Sequence, residues 1–313
     1  MTPGGEFDWI ARLLRPLTRG APEALALLDD AAVLPSRPGL DLVLTKDALV
    51  AGVHFLPDDP PDLVARKLLR VNLSDLAAKG AEPYGYLLAT AWPAGTAWAT
   101  KARFAEGLAL DGEAFGLILL GGDTVSTPGP AMVCATLLGW VPTGGAVLRS
   151  GARPGDRLAV SGAIGDGWLG LLAARGELDS PALAARYRLP TPRLDLVPAL
   201  RRLARAAADV SDGLLADAGH IAAASGCAAH IDLEALPLSP DASAWLESQP
   251  DQVAARVSLA TGGDDYEIVC ALPPDGDVPA GLTLVGAFAE GEGAHAAFRG
   301  APVPVDRPGW THG

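Results

Sequence analysis

Short unbroken apolar runs alternate along this chain with longer stretches in which apolar positions recur every three or four residues. The first pattern reads as buried strand, the second as helix. Residues 6–15 suit a short helix. "LDDAAVLP" and "DLVLTKDALVAGVHF" read as strands with turns between them. "DDPPDLVARKLLRVNLSDLAAKGAEP" reads as one long helix, with Pro61 near its start, Gly80 after its last turn and Pro83 beyond. Leu69, Leu73 and Leu76 supply its apolar face, while Asn72, Asp75 and Lys79 share a polar stripe at i, i+3 and i+7. Residues 97–114 predict another helix. "GLILL" predicts a buried strand ending at Gly121-Gly122-Asp123, and "AMVCATLLGWV" a second one.

The Gly- and Pro-rich "PTGGAVLRSGARPGD" reads as a linker. It divides the chain into residues 1–145 and 146–313. After it come the strand "DRLAVSG", the turn "AIGDGW" and a helix. Residues 181–207 read as helical with breaks at Pro190, Pro192 and Pro198. "GLLADAGHIAAASG" is a helix ended by Gly226, and "GGDDYEIVCALP" and "LTLVGAFAEG" are strands. Strands alternating with helices predict an α/β or α+β chain of mixed sheets covered by helices. "NLSD" and "GGD" are weakly echoed by "DVSD" and "GGDD", too briefly to count as a repeat.

At 313 residues the chain is long enough for two domains, each with its own core. Its formal net charge of −13 argues against nonspecific nucleic-acid binding, which needs a basic surface. An anionic ligand stays possible if metal ions supply positive charge. Cys134, Cys227 and Cys270 form no C-x-x-C pair; Cys134 and Cys270 sit in apolar runs and read as core thiols. This fits a reducing cytoplasm. "MTPGGEFDWIARLL" carries acids early and does not read as a signal peptide, and no apolar run reaches the ~18 residues of a membrane span.

The acids are the informative residues. Asp29, Asp30, Asp47, Asp75, Asp123, Asp209, Asp212, Asp264 and Asp265 stand in small-residue turns or at expected strand ends. A single turn Asp is usually an Asx turn, and Ser211 with Asp212 can simply cap the following helix. A whole set of such acids is not explained that way. Oxygen-rich clusters suit hard cations such as Mg²⁺. Asp75 is the best individual case, because mid-helix turn chemistry cannot account for it. Asp217, one turn into its helix, reads as a solvated residue. His54 has no H-x-x-H partner, so zinc is not indicated. Neither a G-x-S-x-G elbow nor a G-x-x-x-x-G-K-[ST] loop is present. Mg²⁺ could still bridge a nucleotide to the carboxylates, with Gly amides and Arg149 reaching the phosphates. On spacing alone, a solvated linker role for Arg149 is equally good.

The segments "GEFDWIARL", "DDAAV", "TKDALVAGVHF", "VNLSDLAAKGAEP", "GGDTV", "LRSGARPGD", "DVSDGLLAD" and "GGDDYE" run in one order from residue 5 to about 269. This ordered set resembles the thiamine-monophosphate kinase family, which has the aminoimidazole ribonucleotide synthetase fold. The resemblance implies a cytoplasmic, homodimeric transferase. It would use ATP and several Mg²⁺ ions to convert thiamine monophosphate to thiamine diphosphate by direct in-line transfer. The N-terminal domain would bind ATP and Mg²⁺ and dimerise, and the C-terminal domain would complete the site. Carried over by motif, the metal positions are Asp30, Thr45, Lys46, Asp47, Asp75, Asp123, Asp209 and Asp212. Gly122, Asp123, Arg149 and Ser211 would contact ATP; His54, Asp264 and Trp310 would contact thiamine monophosphate.

Departures from the family pattern are Leu28 for Gly, Lys46 for Thr or Ser, Lys79 for Met, Asp264 for Glu, and a closing "HG" for "HF". Lys79 would be exposed or paired with Asp75. Among enzymes of the same fold, selenophosphate synthetases need a Cys or selenocysteine, and the first 28 residues hold no Cys. Hydrogenase-maturation relatives end in a Cys-containing tail, absent from "WTHG". Aminoimidazole ribonucleotide synthetase matches less well. A noncatalytic nucleotide- or metal-binding regulator and a metal-dependent phosphohydrolase are the readings from other classes.

Overall fold

The computed structural model describes residues 6–311. Met1–Gly5, which open "MTPGGEFDWIARLL" and include the first residue of "GEFDWIARL", and the closing His312–Gly313 lie outside them. The chain forms two compact units. One holds the residues up to Leu76 with Ala81–Gly144, and the other Ala77–Gly80 with the chain from Gly145 on.

In the first unit, α1 (Glu6–Trp9) runs into a π-helical turn, Ile10–Leu14, and two 3-10 segments, Arg15–Thr18 and Pro22–Leu27. The expected strand at "LDDAAVLP" is not one: Leu28–Pro35 has no regular structure. Then follow β1 (Leu40–Val50), α2 (Pro61–Ala78), β2 (Glu82–Pro93), α3 (Trp98–Phe115), β3 (Ile118–Thr127) and β4 (Met132–Pro142). The sheet order is β1-β4-β2-β3. β4 is antiparallel to both neighbours, and α3 crosses over between the parallel β2 and β3.

Alternation along β1 turns Val43, Thr45, Asp47 and Leu49 to one face and Leu42, Leu44, Lys46 and Ala48 to the other. The Leu49 face is paired with buried Val133, Ala135, Leu137, Tyr86 and Leu88. α2 is more buried than its expected amphipathic pattern. Leu68, Leu69, Leu73 and Leu76 are inaccessible, and so is Asn72, whose Nδ2 donates to the Leu68 carbonyl at 2.9 Å. The expected polar stripe is therefore only partly polar surface. Arg66 and Arg70 tie α2 to α3 through buried Asp111, at 2.9 and 2.5 Å.

The second unit contains β5 (Arg157–Ser161), α4 (Asp166–Ala174), α5 (Pro181–Arg188), α6 (Val197–Leu203), β6 (Ala206–Asp209), α7 (Leu214–Ser225), β7 (Ala228–Asp232), α8 (Pro240–Glu247), α9 (Gln252–Thr261), β8 (Ile268–Leu272), β9 (Leu282–Ala289), β10 (Gly293–Phe298) and β11 (Ala301–Val303). Its seven-stranded sheet has the order β11-β10-β7-β9-β5-β8-β6 and is antiparallel except at β7–β10. One face packs Val160, Val269 and Val285 with Leu215 and Ile221 of α7. The other packs Ile268, Cys270 and Leu272 with Leu196 and Leu200.

Two expectations are corrected here. Ala206 and Ala207, at the end of the stretch read as helix, are strand, because full burial beside β8 overrides the helix preference of alanine. "GGDDYE" is a loop rather than strand: Gly263, Asp264 and Tyr266 all have positive φ, and the strand begins at Ile268. The "NLSD"/"DVSD" echo joins unlike elements, mid-α2 and the exit of β6.

Candidate functional site

In the first unit the acids fall into two groups on opposite faces of the sheet. On the helical side, Thr45 Oγ1 donates to Asp75 Oδ2 at 2.5 Å. Asp47 is beside them. Burial, and then the charge of Asp75, pushes its carboxyl up to about 7. Lys46 points away from this group, exposed on the outward face opposite Thr136. On that outward face, Asp29, Asp30, Gly121, Gly122 and Asp123 line a cavity of 550 Å³ whose apolar wall includes Leu14 and Leu120.

Asp30 N donates to Asp29 Oδ1, and Thr124 N to Asp123 Oδ1, both at 2.8 Å. Asp47 and Asp123 lie within β1 and β3, not at strand ends as expected, because each strand continues past its acid. Gly122 is required by its neighbour: a Cβ there would stand 1.9 Å from the Leu88 carbonyl oxygen. His54 follows β1 in a turn, where Val50 N donates to its Nδ1 at 3.1 Å and Lys67 donates to its carbonyl at 3.0 Å. Nδ1 is thus used as an acceptor.

The second unit brings five of the candidates together. β6 delivers buried Asp209, and Ser211 and Asp212 follow in the turn before α7. The "GGDDYE" loop is laced onto this turn. Asp264 N donates to Ser211 O at 2.8 Å, Tyr266 N to Val210 O at 2.8 Å, and Val210 N to Glu267 O at 2.7 Å. Trp310 N donates to Asp212 O at 2.9 Å, so the exposed indole is anchored beside the same turn. Tyr266 Oη donates to Asp264 Oδ1 at 3.1 Å. Lys79 is half-buried and donates to Ala207 O at 2.7 Å. Arg149 is exposed, and its charge reaches Asp217.

Asp217 corrects the sequence reading. It is 1% exposed, not solvated, and its Oδ2 accepts the amides of Asp212 and Gly213 at 3.1 Å each. Burial, then the charge of Asp212, pushes its carboxyl up to about 7. Sequence reasoning also missed Glu267, buried and held by Arg186 at 2.7 Å, Arg193 at 2.5 Å and Ser161 at 2.5 Å. The arginines lie 81 and 74 positions away in sequence, so no local signal marks this network.

Residues 28–141 match the N-terminal domain, and residues 153–288 the C-terminal domain, of AIR synthase related proteins. The fold and the paired acidic turns thus define an AIR synthase related protein. Within that group the chain belongs to the thiamine-monophosphate kinase family. It is 62% identical to the thiamine-monophosphate kinase of Caulobacter vibrioides, over 99% of this chain and 92% of that one. The crystal structure of the enzyme from Stenotrophomonas maltophilia shares 37% identity at a TM-score of 0.80, covering 93% and 95% of the two chains. The structure of AaThiL complexed with AMPPCP and TMP shares 33% identity at a TM-score of 0.80, covering 91% of each.

Proposed function

We propose that this chain transfers the γ-phosphate of ATP directly to the phosphate of thiamine monophosphate, giving ADP and thiamine diphosphate. The supporting observation is the laced turn of the second unit, where carboxylates, backbone amides and the Trp310 ring converge, in a chain so close to thiamine-monophosphate kinases throughout. The acceptor is already an ionised phosphate, so positioning matters more than a strong general base. Asp264, His54 and Trp310 are the acceptor's contacts; the Gly122 amide, Asp123, Arg149 and Ser211 are those of ATP.

Thr45, Asp47 and Asp75 suit Mg²⁺. They offer hard oxygen ligands, and Asp47 is held up to about 7 by conditions a bound cation would relieve. Asp30, Asp123, Asp209 and Asp212 are the other oxygen ligands, and Lys46 brings an ammonium instead of an oxygen. Mg²⁺, when bound, would neutralise phosphoryl oxygens. The first domain then serves ATP, Mg²⁺ and dimerisation, and the second completes the acceptor site. A homodimer is supported by the outward row of Leu40, Leu42, Leu44, Leu87 and Val125. Three free, buried cysteines fit the cytoplasm, and no described helix is long and apolar enough to cross a membrane.

The test is ADP release from ATP and Mg²⁺ with and without thiamine monophosphate, with thiamine diphosphate followed by chromatography. Acceptor-dependent ADP matched by thiamine diphosphate is expected. Asp75→Asn and Asp212→Asn should each lower kcat by about 100-fold or more. ATP binding without product would overturn the reading in favour of a regulator, and phosphate release without acceptor would favour a phosphohydrolase.

A further inference from the structure

We propose that Asp212, Asp217 and His220 form a cation site in the second unit that takes a first-row divalent transition ion such as Co²⁺ or Zn²⁺, through two carboxylate oxygens and one imidazole nitrogen. Each residue offers one ligand atom, and the three atoms lie within 4.8 Å of one another. The local sequence produces this directly. Asp217 and His220 are three apart on α7 and so share a face, while Asp212 stands in the turn before the helix.

A second observation points to a ligand. Asp217 is 1% exposed, and its Oδ2 is occupied by two backbone amides. Its Oδ1 is equally buried and has no hydrogen-bond partner. Leaving a buried carboxylate oxygen without a donor is costly, and a cation on that side offsets the cost. It also offsets the repulsion between Asp212 and Asp217.

The donor set selects the ion. Mg²⁺ favours oxygen ligands and several waters, whereas imidazole shifts preference toward later first-row ions such as Co²⁺ or Zn²⁺; Mn²⁺ binds the same donors more weakly and serves as their paramagnetic probe. His220 is exposed, so its ring can turn to an entering ion. Three protein ligands leave coordination positions open for water or a phosphate oxygen. The proposed kinase reading includes Asp212 but gives no role to Asp217 or His220. The site's existence does not depend on that reading.

The experiment uses the full chain without nucleotide, titrated with Mn²⁺. Continuous-wave electron paramagnetic resonance counts the free ion, and pulsed measurements read nitrogen bound to the captured ion. Wild type should show coupling to an imidazole ¹⁴N. His220→Gln should lose that coupling and weaken the site at least about tenfold. Asp217→Asn should weaken it as well. Because Asp217 is buried and that variant could misfold, the exposed His220 carries the decision. Absence of nitrogen coupling in wild type, or its persistence in His220→Gln, would overturn the inference. Thiamine diphosphate formation by wild type with Mg²⁺ alone is measured separately, so either idea can fail while the other stands.

Discussion

Asp265 stands next to a proposed substrate contact yet serves the fold. Its carboxylate accepts the Gly165 amide at 2.9 and 3.0 Å and the Gly167 amide at 2.8 Å, at the start of α4. Burial pushes its carboxyl from 3.8 up to about 8, against the opposing pull of those amides. With the folded pKa above the unfolded one, the native state holds a proton that the unfolded chain has released across that interval. Wild-type stability therefore falls as pH rises from about 4 to about 8, while an asparagine titrates nothing there. Denaturation midpoints of wild type and Asp265→Asn at pH 5 and pH 8 check this. Wild type should lose stability relative to the variant over the interval, and parallel profiles would refute it. The sequence marked Asp264 and Asp265 together, since spacing cannot separate adjacent acids. Asp217 was misread for the same reason: helical position says where a side chain stands on α7, but the packing of α7 on its sheet decides that this face is inward.

At the scale of elements, legibility followed length and period. α2 and α3 carry enough turns to be read from apolar spacing, and α2 from its glycine stop as well. β6 carries four residues, three of them alanine, and is a strand only because β8 lies beside it. What no pattern in α2 reveals is its tie to α3. Asp111 is 1% exposed and receives both Arg66 and Arg70. Removing one member of a buried ion cluster leaves the others desolvated without their partner, at a cost of about 3–5 kcal/mol. Asp111→Ala should lose stability of that order in urea denaturation. A loss within about 0.5 kcal/mol, typical of surface substitutions, would show that the cluster is solvated in practice.

At the scale of the whole chain, the motif order was legible because each acidic turn keeps its neighbours. The faces of the first sheet were legible only in part. Alternation in "LDLVLTKDALV" shows that leucines and acids share β1 but not which set meets the helices. In the fold the acids Thr45 accompanies are turned inward, and Leu42 and Leu44 outward, with Leu44 59% exposed. A folded domain in water rarely leaves such a row uncovered. The homodimer proposed above would supply the cover, because a two-fold contact pairs the same patch with itself. One substitution then enters the interface twice. Leu44→Glu would bury two unpaired carboxylates in the dimer while touching little in the single chain. In sedimentation equilibrium, wild type should run at twice the 31.9 kDa chain mass and Leu44→Glu at the chain mass, with its circular dichroism unchanged. A monomeric wild type, or a Leu44→Glu variant that still dimerises, would remove this face as the interface.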